Sequence, residues 1–226
     1  MIYIIGDTHI PIDIGKLNTK NFSQQKEMTK DDYVIVLGDF GLLWKKNKTY
    51  EYWKTWLEER NFTTLWIDGN HENSDWIDSL EVSEWHGGKV HKISDSIIHL
   101  MRGQIFEIEG KSFFTMGGAE SIDKIYRTEG VSWWAREIPS YKEEKEGLDN
   151  LYKHNYNKVN YILTHTCPKS IITPMFKVNS IDDPTTEYLD FIDSLVEYDK
   201  WYFGHWHQDK EYGNFICLYN DIRRIE

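Results

Sequence analysis

Short apolar runs that stop at a glycine, with a potential metal ligand as the next residue, recur along this chain. Ile2 to Ile5 ends at Gly6, before Asp7; Tyr33 to Leu37 ends at Gly38, before Asp39; Thr64 to Ile67 closes just before Gly69 and Asn70. Trp201 to Phe203 ends at Gly204, before His205, while Tyr161 to Leu163 runs into Thr164 and His165 without a glycine. Runs of this length, rich in Ile, Val, Tyr and Trp, predict buried strands. Glycine at a strand end lets the backbone turn through conformations closed to other residues, which aims the next side chain over the sheet edge. Ligand sites of α/β sheets form at strand ends, so these turns can converge on one place.

Helical stretches lie between the runs, at about Thr49 to Arg60, Lys142 to Asn155 and Thr186 to Val196, the last with Pro184 and Thr185 placed to start it. Strands alternating with helices predict α/β layering. From about Val90 to Met116 the pattern changes to successive antiparallel strands, with Glu109-Gly110-Lys111 as the turn between Ile105–Ile108 and Phe113–Met116. The sheet system is therefore expected to be mixed. With 226 residues, 40% apolar and 28% charged, the chain reads as one domain spanning residues 1–226.

Two of the glycine turns carry a histidine at i+2, in Asp7-Thr8-His9 and His205-Trp206-His207. In an extended segment residues two apart point the same way, so each pair is expected to present both members to one site. The carboxylates of Asp7 and Asp39, the amide oxygen of Asn70 and the imidazoles of His9, His165, His205 and His207 are too many donors for one tetrahedral zinc. They suit two ions sharing a bridging carboxylate.

These residues resemble a known family. Ile5-Gly6-Asp7-Thr8-His9, Leu37-Gly38-Asp39, Gly69-Asn70-His71-Glu72, Thr164-His165 and Gly204-His205-Trp206-His207 are similar, in order and spacing, to the motif blocks of the calcineurin-like metallophosphoesterase superfamily. The resemblance implies a four-layer αββα sandwich of two mixed β-sheets flanked by helices, with a dinuclear site above the strand ends. It implies one metal held by Asp7, His9, Asp39 and His207, the other by Asp39, Asn70, His165 and His205, and a catalytic His71 beside them. The implied activity is phosphoester hydrolysis through metal-activated hydroxide, since two divalent ions about 3.5–4 Å apart can clamp phosphoryl oxygens and acidify a shared water. Mixed nitrogen and oxygen donors are compatible with Mn²⁺, Fe²⁺, Zn²⁺ or Ni²⁺ without selecting among them; Mn²⁺ is the first expectation.

The formal charge of −11, with no basic stripe, argues against stable binding of a polyanion such as nucleic acid. Cys167 and Cys217 have no metal-ligand spacing and are too few for a disulfide framework. With no basic, apolar leader and no membrane-length apolar run, they suggest a cytoplasmic protein. The expected partner is a small phosphorylated molecule, with nucleotides among the candidates; oligomeric state is not legible.

The protein serine/threonine phosphatase branch of the superfamily has an arginine after its second Gly-Asp, whereas this chain reads Asp39-Phe40-Gly41-Leu42-Leu43-Trp44. Phosphoprotein specificity is accordingly not expected. Arg127, in the stretch from Gly117 to Arg136 that also holds Trp133 and Trp134, is the candidate substrate-binding replacement, with one tryptophan expected to line the pocket. Glu72 could hold the His71 imidazole or lie on the surface, and Asp68 could support a ligating histidine or serve only as a capping or turn residue. His86, His91, His99 and His154 fall outside every motif and read as surface or strand residues. Competing functional readings are an exonuclease-like phosphodiesterase, a protein phosphatase and a non-catalytic scaffold, the last disfavoured because every motif position is filled.

Overall fold

Alternation along the first strand sets the layering. In β1 (Ile2–Ile5), Ile2 and Ile4 enter one hydrophobic core while Tyr3 and Ile5 enter another, because successive side chains point to opposite faces of a strand. A strand buried on both faces needs a layer on each side. The computed structural model, which describes residues 1–155, 157–179 and 182–225, supplies both.

Beside β1 run β2 (Tyr33–Leu37) and β3 (Thr63–Ile67), all parallel. Then β4 (Val82–Trp85), β5 (Gly88–Ser94) and β6 (Ile97–Leu100) extend the same sheet, with β6 parallel to β3 and antiparallel to β5. The chain next crosses to a second sheet. There β7 (Gln104–Ile108) and β8 (Lys111–Met116) form a hairpin, and β9 (Tyr161–Thr164) and β10 (Lys200–Phe203) add in parallel. Two short strands, β11 (Lys210–Tyr212) and β12 (Phe215–Cys217), close that sheet, and β13 (Arg223–Arg224) returns to pair with β1. The sheets are ordered β13-β1-β2-β3-β6-β5-β4 and β11-β12-β10-β9-β8-β7.

The stretch from Val90 to Met116 is thus not one antiparallel run, as its sequence suggests, but two hairpins in different sheets. Both present strand-like alternation, and only the side chains between them reveal the crossing: Phe106 and Phe113 face Leu65 and Leu100 across the shared core. The β7–β8 turn is Glu109-Gly110, both left-handed at φ 50° and 74°, the backbone a two-residue hairpin requires.

Helices cover the outer faces. On the first sheet, α1 (Lys48–Glu58) starts where the Asn47 side chain accepts from the N–H groups of Thr49 and Tyr50, a cap worth about 1 kcal/mol. It brings Leu57 onto Val34 and Trp66, and the short α2 (Ser74–Asp78) adds Ile77. On the second sheet, α3 (Tyr141–Lys153) begins with a Ser140/Glu143 capping box, and α5 (Pro184–Leu195) begins with Asp183 as cap and proline in its first turn. Between them α4 (Lys169–Phe176) seats Ile171, Ile172, Met175 and Phe176 against the sheet. These layers make the four-layer αββα sandwich of two mixed sheets. Among the described residues, no helix is long and apolar enough to cross a membrane.

Candidate functional site

The parallel strands of both sheets deliver their C-terminal ends to one place. From the first sheet come Asp7 and His9 after β1, Asp39 after β2 and Asn70 after β3; from the second come His165 after β9, and His205 and His207 after β10. Ligand atoms of His9, Asp39 and His207 lie within 4.8 Å of one another, and so do those of Asp7, Asp39 and His165. Asp39 belongs to both groups, and each group spans both sheets.

The glycines earn their places sterically. Gly38 has φ +86°, and a Cβ there would lie 2.1 Å from His165 Nδ1; one on Gly69 would lie 2.1 Å from Asp39 Oδ1. The expectation that the i+2 pairs sit in extended backbone is corrected here. His9, Asp39, His205 and His207 all have left-handed backbone, with φ of 36°, 46°, 65° and 48°. Side chains with a Cβ enter that region at a cost of about 1–2 kcal/mol each, and such strain persists where the surroundings fix it, most often at functional sites. Sharp turns, not strand alternation, bring each pair inward.

Hydrogen bonds set which atom of each side chain is offered. His165 Nδ1 donates to the Leu37 carbonyl at 2.8 Å, leaving Nε2 beside Asn70 Oδ1 at 3.0 Å and Asp39 Oδ1 at 3.3 Å. Asn70 Nδ2 donates to Ser121 Oγ at 3.0 Å, which turns its oxygen toward the site. His9 Nδ1 donates to Asp13 Oδ2 at 2.9 Å and holds Nε2 3.2 Å from Asp39 Oδ2. Asp7 is fixed by the His205 N–H at 3.0–3.1 Å and stands 3.5 Å from His165 Nδ1 and 3.9 Å from His207 Nε2. The His205 ring lies 4.9 Å from that of His165, and the His207 ring stacks on Tyr219 at 4.6 Å. Tyr219 also donates to Asp13 and receives Lys16 over its face, while Lys16 Nζ donates to the Asp7 carbonyl.

Burial makes these groups costly without compensating charge. Asp7 and Asp39 are 0% and 1% exposed. Burial, reinforced by Asp39, pushes the Asp7 carboxyl up to about 7. Burial acts the same way on Asp39, but the His165 charge outweighs it and holds Asp39 well below the usual carboxylate range. Burial would lower His165, yet the two carboxylates raise it to about 9. His205 is pushed down to about 3 by burial and by His165, which keeps it neutral and available as a donor atom.

The donor set fits divalent cations. Two buried carboxylates share a cluster with four imidazoles and one amide oxygen, and His165 Nε2 faces oxygens that either a proton or a cation can satisfy. Neutral imidazole with carboxylate and amide oxygen is a combination that transition ions accept.

His71 follows Asn70, but its ring turns elsewhere. Its N–H donates to Asp39 Oδ1 at 2.8 Å, its ring lies 5.9 Å from that of His9, and Arg127 Nη1 donates to its Nδ1 at 2.9 Å. Burial, with Arg127 adding to it, lowers the His71 pKa. Arg127 is held by Asp123 at 2.7 Å and lines, with His71, Asn70, Asp39, His205 and His207, a cleft of about 400 Å³.

Other expectations are corrected. Glu72 neither holds His71 nor lies on the surface: it is 1% exposed and accepts the Phe40 N–H at 2.6 Å. Asp68 supports no candidate ligand; it pairs with Arg102 at 2.8 Å and His99 at 3.3 Å. Neither Trp133 nor Trp134 lines the cleft. Trp134 is buried, donating to Asp75 at 2.8 Å against the edge of Trp44, and the tryptophan at the cleft is Trp206. Asp13, Lys16 and Tyr219 went unnoticed in the sequence; of these only Asp13, four residues after His9, carries a hint.

No curated protein matches the chain. The sequence profile of the calcineurin-like phosphoesterases matches residues 1–209, a span that contains every strand-end residue described above. With that match over most of its length, and with the fold and ligand geometry already described, the chain belongs to the calcineurin-like phosphoesterase family and is a metal-dependent phosphoesterase.

Proposed function

We propose that the chain hydrolyses a small phosphorylated molecule, with nucleotides among the candidates, at a pair of divalent cations, with Mn²⁺ the foremost candidate. The carrying observation is that Asp39 belongs to both ligand clusters, the arrangement a bridging carboxylate needs. Asp7, His9 and His207 would complete one site with it, and Asn70, His165 and His205 the other. When bound, such a pair supplies positive charge for the phosphoryl oxygens and a water acidic enough to ionise near neutrality.

The chain's own residues have separable tasks. Arg127 is a fork-shaped donor at the cleft, suited to gripping two oxygens of a phosphate at once. Its partner His71 is neutral and half-buried; once a substrate draws the guanidinium away, its ring nitrogens are free to hold a proton for the departing oxygen. The left-handed turns at His9, Asp39, His205 and His207 hold the donor atoms in place before anything binds.

Elemental analysis after loading with Mn²⁺ should give two ions per chain, and one ion for Asp39→Ala or none. A panel of mononucleotides, cyclic nucleotides, dinucleotides and phosphopeptides reads the substrate class. Arg127→Ala should raise KM about tenfold or more, while His71→Asn should lower kcat about 10²–10⁴-fold. Unchanged kinetics for Arg127→Ala on every accepted substrate would remove it from the site, and a stoichiometry of one would remove the dinuclear reading.

A further inference from the structure

A second hollow opens beside the cleft, about 280 Å³ in volume, with Ile122, Ile125, Thr166, Ile172, Thr186 and Trp206 in its walls. His205 and Trp206 face both spaces, so an occupant of the hollow is an immediate neighbour of whatever is held at the strand ends. Its lining is mainly apolar, and its charged rim groups are already engaged. Glu120 pairs with Lys124, and the Asp183 carboxylate accepts the backbone N–H groups of Glu120 and Thr185. An ion placed there would lose water and gain little.

The back of the hollow is packed. Trp206 stacks on Phe176 at 4.2 Å with 9° between the rings, and Phe176 closes α4, the helix that carries Ile172. The rim is the opposite. Ile122 and Ile125 are 74% and 76% exposed, apolar side chains left in water at the mouth of an apolar space. A flat ring entering between them and Trp206 would cover surface that nothing else in the fold covers.

We infer that this hollow is a specificity pocket for a neutral aromatic ring, aryl or nucleobase, carried by a substituent of the phosphoester. The inference rests on the phosphoesterase site proposed above and adds to it the chemistry of the substrate's organic part. The space admits one such ring, and burial of apolar area on a preformed wall supplies the preference over small alkyl esters.

Ile172→Trp fills the hollow from behind, and Ile125→Asp puts a charge on its solvent-exposed rim, where folding is not at stake. For each, the quantity to measure is the ratio of kcat/KM for phenyl phosphate, and for adenosine 5′-monophosphate, to that for ethyl phosphate. Both ratios should fall about tenfold or more in both variants. Loss confined to the adenosine ratio assigns the pocket to nucleobases and loss confined to the phenyl ratio assigns it to simple aryl groups; ratios equal to those of the parent overturn the inference. A measurement without turnover separates this inference from the catalytic one. Saturation-transfer NMR on the full chain loaded with Zn²⁺ should show adenosine contacted at its base protons more than at its ribose protons, and Ile172→Trp should abolish the signal. Absence of base contact in the parent overturns the pocket even if phosphoesters are hydrolysed. Failure to hydrolyse any phosphoester, with the base contact present, removes the catalytic reading and leaves the ring-binding pocket standing.

Discussion

Glu72 Oε1 accepts the backbone N–H of Phe40 at 2.6 Å, deep in the protein where neither residue meets water. That bond ties the loop after β3 to the turn after β2, the turn that carries Asp39. Burial, with Asp39 nearby, raises the Glu72 pKa well above the ordinary glutamate value. Glu72→Ala should therefore leave the Phe40 N–H buried without a partner, at about 1–3 kcal/mol. Urea denaturation should show that loss, and calorimetric Mn²⁺ titration should show weaker binding as Asp39 loosens. Stability equal to that of the parent would mean the turn holds without the carboxyl.

Asp13 orients His9 from behind, with Tyr219 donating to the same carboxylate oxygen. Removing such an outer partner commonly costs 10–100-fold in metal affinity. Asp13→Ala should accordingly weaken metal binding by about 10-fold or more while leaving the far-UV circular dichroism unchanged. An unaltered titration would show that the turn at His9 alone fixes the ring.

The Arg102–Asp68 pair is buried, with side chains 5% and 8% exposed. Arg102 also donates to the carbonyls of Arg136 and Glu137. Arg102→Ala strands a buried carboxylate and should destabilise by about 3–5 kcal/mol. Lys158→Ala breaks a pair that is 54% and 73% exposed and should cost less than about 1 kcal/mol. Equal denaturation midpoints for the two variants would refute the contrast.

His91 and His99 face each other in β5 and β6 with Nδ1 atoms 3.0 Å apart. Burial, and the neighbouring His99, lower the His91 pKa from 6.5 to about 4. Between those values the unfolded chain takes up a proton there that the folded chain does not, so stability rises with pH across the window. The contribution is whole above the ordinary histidine value and is lost as pH falls through the lowered one. It should amount to about 2 kcal/mol after allowance for residual solvation. Denaturant titrations from pH 7 down to 4 should fall less steeply for His91→Phe than for the parent, and parallel curves would show that His91 is not the source.

What could be read from the sequence had a local steric cause. A glycine is required at positions 38 and 69 because atoms of His165 and Asp39 occupy the space a Cβ would take, and such a need leaves its mark in the chain. The strands before those glycines were legible for the same reason, down to Tyr33–Leu37 residue for residue. By contrast, α4 holds Pro174 inside a helix apolar on most sides, which hides both helical period and helical end. Glu72 and Asp68 looked alike as acids near a motif, and only tertiary contacts set one against a backbone amide and the other against a guanidinium. The tryptophan at the cleft was misassigned because Trp133-Trp134 advertise themselves in sequence, whereas Trp206 was already counted as the spacer between two histidines. Strands as short as Arg223–Arg224 carry too few residues for any pattern.

With the cations held as proposed, each position would draw donors from the ends of first-sheet strands on one side and of β9 or β10 on the other, so ion uptake would require the two halves of the sandwich to be docked. A cation bound with affinity Kd stabilises only that docked form, by about 4 kcal/mol when its free concentration is a thousandfold above Kd. The inorganic centre would then work as a clasp between sheets, and melting temperature should climb with free cation in a single transition rather than in two.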